Sequence, residues 1–355
     1  QKDELLSRLE SLPGKISCYY KDLVDGDSFS YNSAEPMHAA SIIKLFIMVE
    51  AFRRFEAGSL DPKQKVAIRD HDRVPSCGAL TYLHDGIEVT VIDLVTLMII
   101  LSDNTATNVL IDLLGFAAIN TTIHRLGYSE TGLLRKMYDT EKSAKGIQNL
   151  ITAEEAGDLL ERLHRGEIVS DQASAQMLAI LANQRLNSKL PFYLKPMQPT
   201  PKIAHKTGED TGITHDVGVV YPPAGHPFVL CFLGNGTDVC RFERFMSDST
   251  LEIYLAGEER GFDDALGNAS LTTQGLALLL RNGQTSAAFS TTTCQNLTTI
   301  FSSHTSTEAV RTVALQYRRL KSAFHGDFYL NLNKFNGFIG YPPKNETMDT
   351  EAMGD

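Results

Sequence analysis

The order of the predicted secondary-structure elements is the feature that most constrains the fold of this chain. Alternating apolar residues predict two strands over 15–22 and 27–31, joined by a turn, and three further strands between about 203 and 233. The long segment between these regions is dominated by helical patterns. Such an order favours one sheet built from both ends of the domain, beside a helical lobe. A cleft is expected between the sheet and the helical lobe.

The helical segment contains clear start and stop signals. The apolar run after residue 41 predicts a helix that stops at Gly58. Thr90 and Asp93 form a capping box before 92–101, whose almost wholly apolar residues predict a helix buried on all sides. Further helices are predicted over 2–12, 105–114, a stretch ending near 126, 152–165, a stretch beginning at Ser170, and 239–255.

Three short polar clusters each lie at the end of a predicted helix or strand, where side chains can meet in a cleft. They are Ser41-x-x-Lys44, Ser102-Asp103-Asn104 and Lys206-Thr207-Gly208. A serine that opens a helix has the lysine one turn on along the same face, so an amine can activate the hydroxyl without a histidine. Each cluster alone is common in proteins without such chemistry. Their order and separations together favour serine acyl transfer.

The sequence around these clusters resembles a known family. Leu101-Ser102-Asp103-Asn104-Thr105-Ala106-Thr107-Asn108, and Lys206-Thr207-Gly208 leading into 215–219, are similar to the class A branch of the serine β-lactamase and penicillin-binding protein superfamily. The resemblance covers about residues 1–256 and is nearest to an uncharacterised serine hydrolase subgroup. It implies an α/β, two-lobed α+β fold. An antiparallel sheet lobe would come from about 1–36 and 192–256, and an all-helical lobe from about 37–191.

The resemblance also implies roles for the residues of the three clusters. Ser41 would attack the substrate carbonyl, Lys44 would act as the base, and Ser102 would relay a proton to the leaving group. Asp103 is expected to brace its loop rather than react. The family uses no cofactor or metal in this chemistry. The implied substrate-binding residues are Asn104, Lys206, Thr207 and Gly208, and the implied oxyanion-hole donors are the backbone N–H groups of Ser41 and Glu209.

The loop over 130–151 departs from the family pattern. The family places a glutamate in this loop to activate the water for deacylation. This sequence has Met137 or Tyr138 at the corresponding position, depending on the alignment, and neither side chain can activate water. The nearest carboxylates, Asp139 and Glu141, are therefore the candidate deacylation bases.

The anchor of this loop also differs from the family pattern. The family pairs a loop arginine, which corresponds to Arg135, with an acidic residue near 149–151. This sequence has no acidic residue there. Arg135 is therefore expected to pair with Asp139 instead.

These observations leave three functions open. The first is a serine hydrolase that performs β-lactamase-type cleavage of a cyclic amide through an acyl-enzyme on Ser41, the chemistry of antibiotic resistance. The second is a penicillin-binding protein-like peptidase, or an esterase or acyltransferase, that deacylates β-lactams inefficiently. The third is a non-hydrolytic β-lactam sensor or binding module. The expected partner is a small β-lactam, or an acyl-peptide or ester substrate bearing a carboxylate, and the protein is expected to be a monomer.

Composition excludes several other functions. The formal net charge is −10 with no long basic run, which argues against nucleic acid as a partner. The apolar stretches 42–49 and 91–101 are too short to span a bilayer. Five widely spaced cysteines indicate free thiols rather than a metal site, although a Cys231–Cys240 disulfide remains open. The histidines that flank the clusters are interpreted as structural: His38, His84, His205 and His215.

The two ends of the sequence carry less information. The chain begins Gln1-Lys2-Asp3-Glu4, so a secretory leader either was removed or was never present. The resemblance favours a secreted or periplasmic protein. Residues 257–355 are rich in Ser, Thr and Asn and predict a partly helical extension of unknown role, with a disordered tail over 343–355.

Overall fold

The computed structural model describes residues 2–75, 78–197, 200–223 and 225–267. The predicted extension beyond 267, with its tail over 343–355, lies outside the described residues. The chain divides into two compact units. The first unit, which contains the sheet and the three polar clusters, comprises 1–191, 202–221 and 227–250; the second comprises 192–201, 222–226 and 251–355. Within the second unit, Phe192 and Tyr193 pack edge to face with ring centroids 5.0 Å apart.

The strands and helices follow the predicted order. The strands are β1 (Lys15–Asp22), β2 (Ser28–Tyr31), β3 (Met37–His38), β4 (Lys65–Ile68), β5 (Ile87–Thr90), β6 (Leu150–Ile151), β7 (Lys202–Asp210), β8 (Ile213–Tyr221) and β9 (Phe228–Asn235). The helices are α1 (Lys2–Glu10), α2 (Lys44–Glu56), α3 (Val91–Ile100), α4 (Asn104–Leu114), α5 (Phe116–Arg125), α6 (Thr140–Ala144), α7 (Ala153–His164), α8 (Asp171–Ala182) and α9 (Val239–Gly267).

One antiparallel sheet joins the two strand regions, as predicted. Its strand order is β2-β1-β9-β8-β7, so β1 from the start of the chain pairs along its whole length with β9. Strand β8 is buried at every position between its two ends, because helices cover both faces of the sheet. On one face α7 packs against β1, β8 and β9. On α9, Phe242 and Phe245 make edge-on ring contacts with Phe232 of β9. Strand β7 forms the edge of the sheet nearest Ser41.

Two details of the helical segment differ from the sequence predictions. Ser41 does not open the α-helix but lies in a 3-10 turn over Ala40–Ile43, and α2 begins only at Lys44. Helix α3 is not buried on all sides. Asp93 is exposed, and Leu97 and Ile100 on the same face are only half-buried, because these positions repeat at the helical spacing away from the core.

Local capping signals predicted the helix starts correctly. Thr90 and Asp93 form the expected reciprocal capping box before α3. The Thr152 and Ser170 side chains accept backbone N–H groups at the starts of α7 and α8. Residues 59–90 include the antiparallel pair of β4 and β5.

Two further predictions concern membranes and cysteines. No single helix in the described part of the chain is long and apolar enough to cross a bilayer; the bent pair α4 and α5, at 86° to each other, meets those criteria jointly by length and composition only. Cys18, Cys231 and Cys240 are free, so the disulfide left open by the sequence is not formed. Cys77 and Cys294 lie outside the described residues.

Helix α2 lies at the centre of the first unit and carries a buried charge. All residues from Lys44 to Phe52 are buried. Among them, the Glu50 carboxylate accepts hydrogen bonds from Arg53 (2.7 and 3.0 Å), Arg54 (2.7 Å) and the Thr122 hydroxyl (2.6 Å). Burial alone would raise the pKa of Glu50, but these hydrogen bonds hold it below its ordinary value. The cluster ties α2 to α5.

Replacing Glu50 by glutamine is expected to destabilise the fold by about 2 kcal/mol, because the buried amide cannot satisfy both arginines. The pKa of the Glu50 carboxyl is lower in the folded protein than its ordinary value of 4.5. The carboxylate therefore stabilises the fold fully above pH 4.5, and this stabilisation is lost as the pH falls through the pKa of the folded protein. Urea unfolding at pH 7 and at pH 4 measures both effects, and the difference between the variant and the wild type should shrink at pH 4.

The matched control is Glu88→Gln, which removes an exposed carboxylate 3.4 Å from Lys65. An exposed pair of this kind contributes about 0–1 kcal/mol. Equal losses of unfolding free energy in the two variants would contradict the role assigned to the Glu50 cluster.

Candidate active site

Ser41 is held on a strained turn in front of the central helix. The residue before it, Ala40, has φ +42°, a left-handed conformation that a non-glycine residue rarely adopts. The backbone N–H of Ala39 donates to the Asn149 carbonyl at 2.8 Å, which fixes the approach to this turn. Ser41 lines a pocket of about 110 Å³. The strain and the pocket position together mark Ser41 as a candidate nucleophile.

Lys44 connects the start of α2 to the second polar cluster. Its side chain is fully buried. Nζ donates to the Ser102 carbonyl at 2.8 Å, the Ser102 hydroxyl at 3.0 Å and Asn104 Oδ1 at 2.7 Å. These three contacts use all three N–H donors of an ammonium group.

Ser102 lies between two lysines. Lys206 Nζ donates to the Ser102 hydroxyl at 3.1 Å and to the Thr207 carbonyl at 2.7 Å. A hydroxyl has one donor and two acceptor positions, so two donating amines leave the Ser102 proton free for a third group. If the Lys44 amine is neutral, the hydroxyl can donate to it instead. The arrangement is therefore suited to moving a proton through Ser102.

The left-handed backbone of Ser102 is secured by its neighbour. Ser102 has φ +54°. Asp103 Oδ1 accepts the Ala106 N–H at 2.9 Å and caps α4, while Oδ2 accepts the N–H groups of Ala79 and Leu80 at 2.8 and 2.9 Å. The expected bracing role of Asp103 is thus present in the structure.

Strand β7 approaches the Ser41 turn closely at Gly208, so a side chain at this position would be tightly packed against the turn. A Cβ built on Gly208 would lie 3.3 Å from the Ser41 nitrogen, 3.1 Å from Ile42 Cγ1 and 3.1 Å from His215 Cδ2. Glu209, the next residue, lines the same pocket as Ser41. The pocket-lining residues are His38, Ala40, Ser41, Asn104, Arg135, Met137, Tyr138, Gln148, Asn149, Glu209, Asp210 and Ile213.

Gly208→Ala is expected to lower the rate of Ser41 acylation about tenfold. The added methyl group must push the strand and the Ser41 turn apart by a few tenths of an ångström, and small misplacements at a reacting centre are costly. Stopped-flow measurement of acylation by a chromogenic cephalosporin tests this. Gly132→Ala is the control, since the nearest atom to its new Cβ is 4.0 Å away. A rate unchanged by Gly208→Ala would show that the close approach is unimportant.

The histidines near the clusters have interior partners. His215 Nε2 lies 2.8 Å from the His38 carbonyl, and the Gly234 N–H donates to His215 Nδ1 at 3.0 Å. Burial lowers the pKa of His215 to about 4, with a smaller lowering effect from the charge of Lys189. His215 is therefore neutral at pH 7. His205 contacts Asp216 Oδ1 at 2.8 Å. These contacts agree with the structural role predicted for both histidines.

The arginine of the loop over 130–151 is held by an amide side chain rather than by an acidic residue. Arg135 Nε and Nη2 donate to Gln148 Oε1 at 3.0 and 2.7 Å, so the expected pairing of Arg135 with Asp139 is replaced by a neutral partner. Asn149 Oδ1 accepts the N–H groups of Leu134 and Arg135 at 2.7 and 2.9 Å. Asn149 follows the loop at the position where the sequence lacks an acid, and its amide can both donate and accept there.

Both residues considered for the glutamate position are placed near the pocket. The backbone of Met137 exchanges two hydrogen bonds with the Asn108 side chain, at 2.8 and 2.9 Å. Tyr138, with φ +63°, is half-exposed and lines the pocket with Met137. The sequence reasoning missed the clamping role of Asn108; an asparagine on the buried face of an apolar helix was the available signal.

The two candidate deacylation bases have other partners. The Asp139 carboxylate accepts the Lys142 N–H at 3.0 Å and caps α6. Glu141 is strongly exposed and pairs with Lys145 at 2.7 Å. Neither residue is among the described residues that line the pocket.

Comparisons with known proteins agree with this fold and geometry. The sequence model of the Beta-lactamase enzyme family matches residues 2–248. The chain is 25 % identical over 217 residues to β-lactamase BRO-1 of Moraxella catarrhalis, a match that covers 58 % of this chain and 66 % of BRO-1. The matched region is thus slightly under two thirds of the length of BRO-1.

Solved structures are similar over most of their length. The β-lactamase from Sphaerobacter thermophilus DSM 20745 is 31 % identical, with a TM-score of 0.66, and the match covers 72 % of this chain and 96 % of that one. A variant of PBP-A, described as an acyl-enzyme complex with penicillin G, is 25 % identical with a TM-score of 0.66 and coverages of 73 % and 96 %.

Fold and site together define an enzyme of the serine β-lactamase and penicillin-binding protein superfamily. The chain belongs to the Beta-lactamase enzyme family, since that family's model matches well over half of it. Membership supports a hydrolase or penicillin-binding protein-like serine enzyme.

Proposed function

We propose that the protein is a serine hydrolase that forms an acyl-enzyme on Ser41 and cleaves the cyclic amide of a β-lactam. The observation that carries the proposal is the hydroxyl of Ser102, which lies 3.0 Å from Lys44 Nζ and 3.1 Å from Lys206 Nζ. Lys44 is one turn beyond Ser41, and Ser41 lines the pocket. Asn104, which accepts a hydrogen bond from Lys44 Nζ, lines the same pocket as Ser41, and this supports the assignment of a nucleophile, a base and a proton relay to Ser41, Lys44 and Ser102.

The proposed acylation step conserves protons. Ser41 Oγ bonds to the substrate carbonyl carbon while neutral Lys44 takes the hydroxyl proton. The backbone N–H groups of Ser41 and Glu209 stabilise the oxyanion that forms. The C–N bond then breaks, and the proton reaches the leaving nitrogen through the Ser102 hydroxyl. Lys206 and Thr207 bind the substrate carboxylate, which is the role the resemblance implies for them.

The contacts of the loop favour a second candidate, a penicillin-binding protein-like enzyme with a long-lived acyl-enzyme. Asp139 caps α6 and Glu141 pairs with Lys145, so both are engaged away from the pocket lining. An acyl-enzyme that receives no water-activating carboxylate from this loop is hydrolysed slowly. The PBP-A variant described as an acyl-enzyme complex with penicillin G is a relative in which such an adduct was captured.

A time course with fluorescent penicillin distinguishes these functions. Intact-mass measurement of the protein, with peptide mapping of the adduct to Ser41, follows acylation and release. Transient labelling with stoichiometric excess of hydrolysed product supports a β-lactamase. A stable adduct on Ser41 supports a penicillin-binding protein-like enzyme or a sensor. Absence of both adduct and hydrolysis would reject β-lactam acylation and direct attention to peptide or ester substrates.

A further inference from the structure

Lys189 is a fully buried lysine that the acylation mechanism does not use. It lies in the segment between α8 and β7, and its side chain has no exposed surface. Burying an ammonium group is costly unless polar partners surround it. Its position in the sequence, beside Leu190 and Pro191, offers no pattern from which such a role could be predicted.

Three oxygens surround the Lys189 ammonium. Nζ lies 2.9 Å from Glu209 Oε1, 3.6 Å from Glu243 Oε1 and 3.2 Å from the His215 carbonyl. These partners belong to β7, α9 and β8 respectively. Glu243 is itself held by the Thr214 hydroxyl at 2.8 Å. Lys189 therefore connects β7, β8 and α9 near the end of β7, the edge strand.

The backbone around Lys189 is fixed as well. The Ser247 hydroxyl donates to the Lys189 carbonyl at 2.9 Å, and the Leu190 N–H donates to Asp216 Oδ2 at 3.1 Å. The ammonium position is thus determined by contacts on both sides of the residue. Because its backbone is fixed, the Lys189 side chain can hold the carboxylates of Glu209 and Glu243 in place.

Glu209 connects this buried lysine to the pocket. Its carboxylate contacts Lys189, its side chain is 51 % exposed, and the residue lines the pocket with Ser41. An unpaired carboxylate in that wall would repel a substrate that carries its own carboxylate. Glu209 also follows Gly208, whose close approach to the Ser41 nitrogen sets the geometry of the strand end.

We propose that Lys189 is a positioning and specificity-determining residue, which holds the Glu209 end of β7 in place and cancels the negative charge that Glu209 would otherwise present to an anionic substrate. This proposal rests on the proposed acylation of Ser41. It favours substrates with a carboxylate, because the lysine beneath Glu209 offsets the charge of that carboxylate in the wall next to Ser41.

Two probes separate the charge effect from a general loss of structure. Benzylpenicillin is anionic, and its methyl ester is the same acylating agent without the charge. In Lys189→Met, acylation by benzylpenicillin is expected to fall about tenfold more than acylation by the ester, since one unit of negative charge is exposed near the pocket. The excess loss should diminish when the salt concentration is raised from 0.05 to about 0.5 M.

The double variant Lys189→Met/Glu209→Gln removes the exposed charge together with the lysine. In this double variant, acylation by benzylpenicillin should regain the part of its rate that it lost in excess of the ester. Any loss of rate common to both probes should remain. The single variant Glu209→Gln keeps a hydrogen-bond acceptor for the buried lysine. It should accelerate acylation by benzylpenicillin relative to acylation by the ester, so the proposal can be tested even if Lys189→Met does not fold. Lys21→Met is the control: Lys21 pairs with Glu161 at 2.7 Å, and neither residue lines the pocket.

The outcomes are distinct. The proposal would be overturned if folded Lys189→Met lost the same factor in acylation rate with both probes. It would also be overturned if the double variant did not recover acylation by benzylpenicillin, or if Glu209→Gln left the ratio of the two acylation rates unchanged. Failure of the wild-type protein to be acylated by either probe would instead refute the proposed function. A probe ratio changed as strongly by Lys21→Met as by Lys189→Met would show that the effect is not local to the pocket.

Discussion

Replacing Ser41 by alanine is expected to eliminate covalent labelling by penicillin and to lower any β-lactam hydrolysis by at least about a thousandfold. The substitution removes the hydroxyl oxygen that forms the acyl bond in the proposed mechanism, and loss of a serine nucleophile typically costs several orders of magnitude in kcat. The small side chain of Ser41 lies at the edge of a pocket, so its truncation leaves no large cavity. Intact-mass spectrometry after incubation with penicillin measures the adduct directly.

The control for Ser41→Ala is Ser59→Ala, which truncates an exposed hydroxyl just after α2. Both variants should keep the melting temperature of the wild type within about 2 °C. An adduct that persists in Ser41→Ala would show that another residue is the nucleophile and would remove the basis of the proposed mechanism.

Replacing Lys44 by arginine is expected to slow acylation by about 10²–10⁴-fold at every pH between 6 and 9, the range typical for loss of a general base. A guanidinium keeps the positive charge but cannot become neutral, so it cannot accept the Ser41 proton. Lys44→Met removes the charge as well and leaves the Ser102 carbonyl and Asn104 Oδ1 without this donor. Pre-steady-state acylation rates for the two variants separate proton transfer from charge.

The pH profile gives the decisive comparison for Lys44. The wild-type acylation rate should depend on the ionisation of a group that Lys44→Arg lacks, so the variant profile should be flatter. A Lys44→Arg variant that acylates at the wild-type rate would exclude Lys44 as the base. Circular dichroism melts should accompany both variants, because Lys44 is fully buried.

Much of the fold could be predicted because its determinants are local. Thr90, Thr152 and Ser170 each cap a helix through a backbone N–H three residues ahead, which short sequence patterns reveal. That one sheet joins the two strand regions followed from where alternating segments lie along the chain. The meeting of the three polar clusters was predictable from their resemblance to a family and is now seen as contacts among Lys44, Ser102 and Lys206.

The remainder depends on contacts between distant residues, which local patterns do not contain. The 3-10 turn at Ser41 begins at Ala40, whose left-handed backbone has to be maintained by the surrounding structure. Asn108 reaches a loop backbone 29 residues away, and Lys189 meets Glu209 only because β7 and α9 pack around it. The neutral pairing of Arg135 with Gln148 was likewise hidden, since a glutamine gives no charge pattern to read.

The full burial of α2 has a consequence for how such an enzyme can change. Because α2 is buried from Lys44 to Phe52, its backbone amides are expected to exchange with solvent only when the whole unit unfolds. The loop over 130–151, in contrast, is joined to the Ser41 region by the two-residue pairing of β3 with β6 and by a few side-chain amides. In the proposed mechanism, substitutions in the exposed part of the loop can therefore alter release of the acyl group without disturbing the buried helix that carries Lys44. Acyl transfer and hydrolysis are in this sense separately evolvable, and the first is protected by the core.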